Sequence, residues 1–187
     1  MLSEFFATEV LHPCGNQRLK PRHNLCLMTL RTHTMKTSVS LQTLTLECAL
    51  HIITAALAHA RSASMEPLAV TVLDVRGALK AYGAEEGTSL YRFEISRGKA
   101  LGSLGLGFGG REIERRYGVA PGFIGAVGML SEGNLVPVPG GVLLRDAQGQ
   151  LLGAVGISGD TSHNDEIAAV AGVLAVGLVA DTGAPKA

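Results

Sequence analysis

Two stretches of the chain place an aspartate and a glycine three residues apart between short apolar runs, and this pattern constrains the fold most. The pairs are Asp74 with Gly77 in residues 68–82, and Asp146 with Gly149 in residues 142–157. Aspartate at the first position and glycine at the fourth are typical of a type I turn, so each stretch predicts a β-hairpin. Two hairpins predict a four-stranded antiparallel sheet. Residues 135–138 are candidates for a short edge strand, because Pro137 and Pro139 forbid a continuous ladder there.

Helical patterns occur before, between and after the hairpins. Apolar residues recur at helical spacing from Leu46 to Ala60, with Thr45 as the predicted N-cap and Glu47 in the first turn. Further helices are predicted over residues 89–106, 111–117 and 162–179. The last of these is so rich in Ala, Val and Gly that we expect it to be buried in the core or against another subunit. Helices around two hairpins predict an α/β fold, with helices packed on a central antiparallel sheet.

The chain before Met35 lacks the regular patterning of the rest. Residues 1–34 combine prolines, histidines and scattered basic side chains without a period of 2 or 3.6. We therefore expect residues 1–34 to be a poorly ordered N-terminal extension and residues 35–187 to form one domain.

The charge and cysteine content excludes several classes of protein. Sixteen basic residues balance sixteen acidic ones, so no overall field attracts nucleic acid or an anionic membrane surface. No uncharged run reaches the roughly 20 residues of a membrane span, and no signal peptide is recognisable, so we expect a soluble protein. Cys14, Cys26 and Cys48 show no CxxC spacing, which argues against a disulfide framework or a zinc site. These features predict a cytoplasmic location.

Three glycines fall on one face of the helix predicted at residues 89–106. They are Gly98, Gly102 and Gly105, at spacings of four and three. Each glycine costs a helix roughly 1 kcal/mol relative to alanine, so the stripe requires a structural reason. We expect a close neighbour along this face, which is another helix, the sheet, another subunit or a planar ligand.

Three side chains near this stripe are candidates for contact with a ligand. Lys99 lies beside the glycines, where it either pairs with a ligand carboxylate or is a solvated surface charge. Phe93 and Phe108 supply aromatic surface for a ligand or fill the core.

A polar segment joins the second hairpin to the last helix. Ser162 and Asp165 have the spacing of a capping-box variant, which favours a purely structural role. The alternative is a polar rim that contacts a ligand or a weakly held cation, formed by Asp160, His163 and Glu166. The imidazole of a histidine such as His163 can perform acid/base chemistry near neutral pH, but the sequence places no catalytic partner at a diagnostic spacing from it. No catalytic residue and no metal ligand is therefore assigned.

Several short blocks occur in an order that is characteristic of one family. They are Thr45–Glu47, Val72–Gly77, Lys99–Ala100, Val138–Val142, Gly153–Asp160 and Asp165–Glu166. With these blocks the chain resembles the GlcG/HbpS family, also called the haem-degrading or DUF336 domain, over most of residues 41–180. The resemblance implies a profilin-like α/β/α sandwich, a homo-oligomer, and haem or another tetrapyrrole as ligand and cofactor.

The resemblance carries over to individual positions only in part. The family lysine falls on Lys99, where the resemblance implies contact with a tetrapyrrole propionate. Many members have a proline-threonine pair after the second helix, and a threonine there is associated with haem iron. Here the stretch Phe108–Glu112 has no such pair, so axial ligation at that point does not carry over. Ala84–Gly87 likewise replaces the usual arginine-methionine-aspartate stretch.

Three functions remain open from the sequence. The first is haem or tetrapyrrole binding in a groove bounded by the glycine-striped helix, Phe93, Lys99 and Phe108. The second is an enzyme or accessory factor that acts on a small organic acid or aromatic metabolite through the polar segment. The third is an oligomeric scaffold in which the small residues serve packing alone.

Overall fold

A computed structural model of the protein describes residues 41–185. The elements in chain order are α1 Leu46–Ser62, β1 Ala69–Asp74, β2 Leu79–Ala84, α2 Arg92–Leu106, α3 Gly110–Val119, α4 Pro121–Leu130, β3 Gly141–Arg145, β4 Leu151–Ser158, α5 Ser162–Ala175 and β5 Val179–Asp181. The predicted extension, residues 1–34, lies outside the described residues, and so do residues 35–40 of the predicted domain.

The five strands form one antiparallel sheet in the order β2-β1-β4-β3-β5. Both predicted hairpins are confirmed, because β1 pairs with β2 and β3 pairs with β4. The Gly77 N–H donates to the Asp74 carbonyl at 2.9 Å, and the Gly149 N–H donates to the Asp146 carbonyl at 3.0 Å. The hairpins meet through β1 and β4, with Val72 opposite Val155.

Helices cover both faces of this sheet. Val70 and Val72 of β1 pack into the core formed with α1 and α5, whereas Leu73 packs with Ala100 of α2 on the opposite face. On that second face the hydroxyl groups of Thr71 and Ser96 are hydrogen bonded at 2.7 Å. Successive strand residues point to opposite faces, so this alternation defines three layers. The predicted α/β/α sandwich is confirmed.

The contact between α1 and α5 explains why the last helix is rich in small residues. The predicted N-cap of α1 is confirmed, because the Thr45 hydroxyl accepts a hydrogen bond from the Cys48 N–H at 3.1 Å. A Cβ atom at Gly172 of α5 would lie 2.6 Å from the Ile52 carbonyl oxygen of α1. The helices therefore approach closely enough that glycine is required at this position.

The last helix is shorter than the sequence predicts. It ends at Ala175, and Gly177 then adopts a left-handed conformation with φ +73°. Val179–Asp181 forms the edge strand β5 on β3. The prediction of an edge strand at residues 135–138 is wrong, since these residues run across α2 outside the sheet.

The region between the hairpins also differs from the prediction. Helix α2 begins at Arg92 rather than at residue 89, and α3 includes the predicted residues 111–117. Helix α4 was not expected, because its three glycines obscure any apolar period. Its one buried residue is Ile124, and large apolar side chains such as Met129 are exposed. None of the helices in residues 41–185 is long and apolar enough to cross a bilayer.

Candidate functional site

The glycine stripe on α2 is covered by a segment of the same chain. A Cβ atom at Gly98 would lie 2.8 Å from Val136 Cγ2, and one at Gly102 would lie 3.1 Å from Leu135 Cδ1. Gly105 is exposed and has no neighbour within 4 Å of such an atom. A close neighbour is therefore present at two of the three glycines, but it is the loop before β3 rather than another helix, the sheet, another subunit or a planar ligand. This loop occupies the surface on which a planar ligand would lie.

Lys99 is buried and paired within the chain. Its Nζ donates to Asp165 Oδ2 at 2.7 Å, and both side chains are 2% exposed. Burial lowers the pKa of the Lys99 amine, and the Asp165 carboxylate opposes this shift. A Cβ atom at Gly140, whose φ is +104°, would lie 2.9 Å from Lys99 Nζ. A ligand carboxylate could reach Lys99 only if this ion pair opened.

Phe93 and Phe108 lie at opposite ends of α2 and do not face one groove. The Phe93 ring meets the Tyr82 ring edge-on, with centroids 4.8 Å apart. The Arg116 guanidinium lies over the Phe108 ring at 4.0 Å. Helix α2 has 15 residues and spans about 22 Å, so the two rings are too far apart to hold one small ligand between them. Ligand contact by Phe93, Gly98, Lys99, Gly102 or Phe108 stays a prediction.

The start of α5 differs from the expected capping box. The N-cap is Thr161, whose hydroxyl accepts from the Asn164 N–H at 3.2 Å, rather than Ser162. Asp165 does not close a capping box, because Lys99 and the Asp160 N–H occupy its two carboxylate oxygens.

The Asp160 carboxylate stabilises two neighbouring backbone segments. Its Oδ2 accepts from the Glu66 N–H at 2.8 Å, and its Oδ1 accepts from the Thr161 N–H at 2.6 Å and from Asn164 Nδ2 at 3.0 Å. The hydrogen bonds from Glu66 and Thr161 lower the pKa of this carboxyl. These partners give Asp160 a structural role that competes with contact to a ligand.

Arg111 brings His163 and Glu166 together. Its Nε donates to Glu166 Oε1 at 2.6 Å, and its Nη2 lies 3.0 Å from His163 Nδ1. Glu166 is 4% exposed, and its buried Oε2 has no hydrogen-bond partner among the described residues. Nothing in the sequence indicated Arg111, which is 55 residues from Glu166. Within residues 41–185 no group of three or more His, Cys, Asp or Glu side chains is placed to hold a metal ion.

The outer face of α1 and the end of α5 form an open groove of about 530 Å³. Nine residues line this α1–α5 groove: Thr45, Glu47, Cys48, His51, Thr54, Ala55, Ala58, Ala175 and Val176. No motif in the sequence indicates this surface. Polar residues on the outer face of an amphipathic helix normally face solvent. Among the lining residues, only the alanines are consistent with a groove at the sequence level.

His51 and Cys48 are the side chains of this groove that can bind a soft or borderline metal centre. They are three residues apart on α1 and therefore lie on the same side of the helix. Burial raises the pKa of the Cys48 thiol, and the Glu47 charge raises it further. The thiol thus stays protonated at neutral pH, which leaves the His51 imidazole as the better donor. Among the lining residues Glu47 is the one with a charged carboxylate, and the lining has no Lys or Arg.

Solved structures with the same fold are similar to this chain. A PduOC:haem complex is 22% identical, with 74% of this chain and 99% of that chain covered and a TM-score of 0.66. The protein ORFY of Klebsiella pneumoniae, assigned to DUF336, is 26% identical, with 76% and 97% covered and a TM-score of 0.68. A double mutant of HbpS from Streptomyces reticuli is 22% identical, with 73% and 89% covered and a TM-score of 0.63.

Comparison with curated proteins found no significant sequence relative. The family described as haem degrading protein HbpS-like matches residues 44–174, which is most of the chain and nearly all of the sandwich. The chain therefore belongs to the HbpS-like family.

Proposed function

We propose that the chain binds haem or a related tetrapyrrole and that the α1–α5 groove is the binding site. Two findings support the ligand class: the family is described as haem degrading, and a protein of the same fold has been crystallised with haem. The observation that carries the site is the position of His51 in an open, alanine-lined groove.

The residues of the groove fit a tetrapyrrole in size and in donor chemistry. Small-molecule sites typically have volumes of about 300 to 1,000 Å³ and mostly apolar walls, and this groove falls within that range. Ala55 and Ala58 present only methyl groups, which leaves room for a flat ring. The His51 imidazole is the side chain of the groove that would hold haem iron, since histidine is an established haem ligand in proteins. When bound, haem supplies an iron centre for redox or oxygen chemistry.

The remaining lining residues determine how the ligand is held. Cys48 stays a neutral thiol and contributes apolar surface. The Glu47 carboxylate repels propionate groups, and no cation of the lining attracts them. Because the groove is open, the propionates can remain in water, so binding depends on apolar contact and on His51.

Titration of the full chain with haemin, followed by the Soret band, tests this proposal. We expect saturable binding, and we expect His51→Ala to weaken it at least tenfold and to change the position of the band. The matched control is His59→Ala, which removes an imidazole from the same helix but outside the groove lining. A wild-type chain that leaves the haemin spectrum unchanged refutes the function. Equal haemin binding by the His51 variant and wild type refutes the site. A loss of haemin binding that occurs only in Phe93→Ala or Phe108→Ala would place the binding site at α2 instead.

We also infer that the protein is a cytoplasmic homo-oligomer. Cys48 is a free thiol, as is usual in a reducing compartment. Helix α4 exposes Phe123, Met129 and Leu130, which are 59%, 83% and 85% exposed, and such apolar surface favours association. Light scattering of the purified chain tests the assembly, and a monomer at micromolar concentration contradicts it. Fractionation of cells tests the location.

A further inference from the structure

The buried carboxylate of Glu166 retains one oxygen without a hydrogen-bond donor. Its Oε1 accepts from Arg111 Nε, whereas the buried Oε2 meets no donor within the described part of the chain. The adjacent Asp165 differs, because Lys99 Nζ and the Asp160 N–H supply donors to its two oxygens. Buried polar atoms are normally paired, and an unpaired oxygen of a charged group is strongly unfavourable. We therefore expect the missing donor to come from a molecule that binds beside Glu166.

The Arg111 guanidinium divides its hydrogen bonds between two residues. Nε donates to Glu166 and Nη2 donates to His163 Nδ1. Arg115 of the same helix instead donates from Nε and Nη2 to the two oxygens of Glu112. The Arg111 side chain is 37% exposed, and its Nη1 has no acceptor among the residues that the structure describes. Because arginine binds carboxylates through two parallel hydrogen bonds, its free edge can hold a ligand carboxylate next to Glu166.

The His163 imidazole is the exposed member of this cluster. Arginine only donates hydrogen bonds, so His163 Nδ1 accepts from Arg111, and the ring is neutral with its proton on Nε2. This contact is the one side-chain hydrogen bond that His163 makes with the described residues. Rotation of the ring therefore breaks a single hydrogen bond and releases Arg111 Nη2 for a ligand.

We propose that Arg111 and Glu166 bind the zwitterion of an α-amino acid, with the His163 ring as a movable cover. Arg111 binds the carboxylate of the ligand, and Glu166 Oε2 accepts a hydrogen bond from its ammonium group. The charges of Arg111 and Glu166 cancel, so a ligand without net charge matches the site. A hydroxy acid or a simple amine would leave one charge unbalanced beside a buried group, which is unfavourable.

The spacing of the two protein groups selects an α-amino acid over a longer zwitterion. Arg111 Nε lies 2.6 Å from Glu166 Oε1, so a ligand that contacts both residues must carry its opposite charges close together. An ammonium and a carboxylate on the same carbon atom satisfy this condition. Neither Arg111 nor Glu166 lines the α1–α5 groove, so this site is separate from the proposed haem site.

Calorimetric titration of the full chain distinguishes the ligand classes. The probes are the common L-α-amino acids and, for each one that binds, the 2-hydroxy acid and the α-amide with the same side chain. We expect saturable binding of at least one amino acid and at least tenfold weaker binding of both analogues. The absence of saturable binding by every amino acid overturns the proposal. Equal binding of the hydroxy acid overturns the role of Glu166, and equal binding of the amide overturns that of Arg111.

Variants of the cluster test the same site independently. We expect Glu166→Gln and Arg111→Lys to weaken amino-acid binding at least tenfold, because the first removes the negative charge and the second removes the planar fork. His163→Ala should bind more tightly, since no cover has to be displaced. The matched control is Arg115→Lys, which makes the same change at an arginine of α3 that pairs with Glu112. Thermal unfolding without ligand identifies the variants that are folded. Wild-type affinity in folded Glu166→Gln or Arg111→Lys would contradict the site, and weaker binding by His163→Ala would contradict the cover.

Discussion

Lys99 Nζ lies 2.7 Å from Asp165 Oδ2, and this buried ion pair connects helices on opposite faces of the sheet. Lys99 belongs to α2 and Asp165 to α5, and both side chains are 2% exposed. Burial lowers the pKa of the amine and raises the pKa of the carboxyl. Each charge is therefore tolerated in the interior only because its partner is present.

Replacement of one partner of this pair should lower the free energy of unfolding more than replacement of both partners. We expect Lys99→Met or Asp165→Asn alone to lower the free energy of unfolding by about 3 to 5 kcal/mol, because a buried charge is left uncompensated. The double variant should recover most of this loss, since neither charge remains. Urea denaturation of the four proteins measures the coupling. Additive losses in the double variant would show that the two groups do not compensate each other.

The glycine stripe should respond to substitution according to what covers each position. Gly105→Ala should raise the free energy of unfolding by about 0.5 kcal/mol, because alanine favours the helix and no atom obstructs its methyl group. Gly98→Leu should lower it by about 1 to 3 kcal/mol, because its Cβ atom alone would lie 2.8 Å from Val136 Cγ2. Thermal unfolding of both variants provides the comparison. Equal changes in stability at the two positions would contradict the finding that Val136 packs against Gly98 while Gly105 is uncovered.

The parts of the fold that depend on local sequence could be predicted. The turn at Asp74 and Gly77 and the N-cap at Thr45 are encoded within four residues, and both occur as expected. The extent of α5 could not be predicted, because Val179–Asp181 forms a strand only through its pairing with β3. Residues 135–138 likewise pack on the glycines of α2 instead of joining the sheet. Tertiary contacts overrode local propensity in both cases.

The candidate site was harder to predict than the fold. The glycine stripe correctly indicated a close neighbour, but sequence spacing does not identify which segment provides it. Lys99 and Asp165 are 66 residues apart, so their pairing has no signature in the chain. The sequence does not single out His51, because a polar residue on the outer face of an amphipathic helix normally faces water. The end of α5 turns this face into a groove through a tertiary contact that has no signature in the sequence.

Asp160 should contribute to stability in a pH-dependent manner. Hydrogen bonds from Glu66 N–H and Thr161 N–H lower its pKa below the ordinary value of 3.8. The unfolded chain therefore takes up the proton first as the pH falls. This contribution is complete above pH 3.8 and is lost as the pH falls through the folded-state pKa.

Asp160→Asn should lower the free energy of unfolding by about 1 kcal/mol at pH 7, because the amide nitrogen cannot accept one of these hydrogen bonds. The variant should also show a smaller loss of stability than wild type between pH 5 and pH 2. Thermal unfolding across this pH range measures both effects. Glu86→Gln, at an exposed residue after β2, is the control for removal of one carboxylate. Parallel pH profiles of wild type and Asp160→Asn would exclude this role.

Filling the α1–α5 groove should abolish ligand binding without damage to the fold. Ala58 lines the groove and is exposed, so Ala58→Leu adds apolar volume where only a ligand would lie. Leucine is a good helix former, so we expect thermal stability to change little. The affinity for haemin should fall at least tenfold, as measured by Soret titration. Ala126→Leu makes the same change at an exposed position of α4 outside the groove, and it should bind like wild type. If Ala58→Leu bound haemin as tightly as this control, the ring would have to lie elsewhere on the protein.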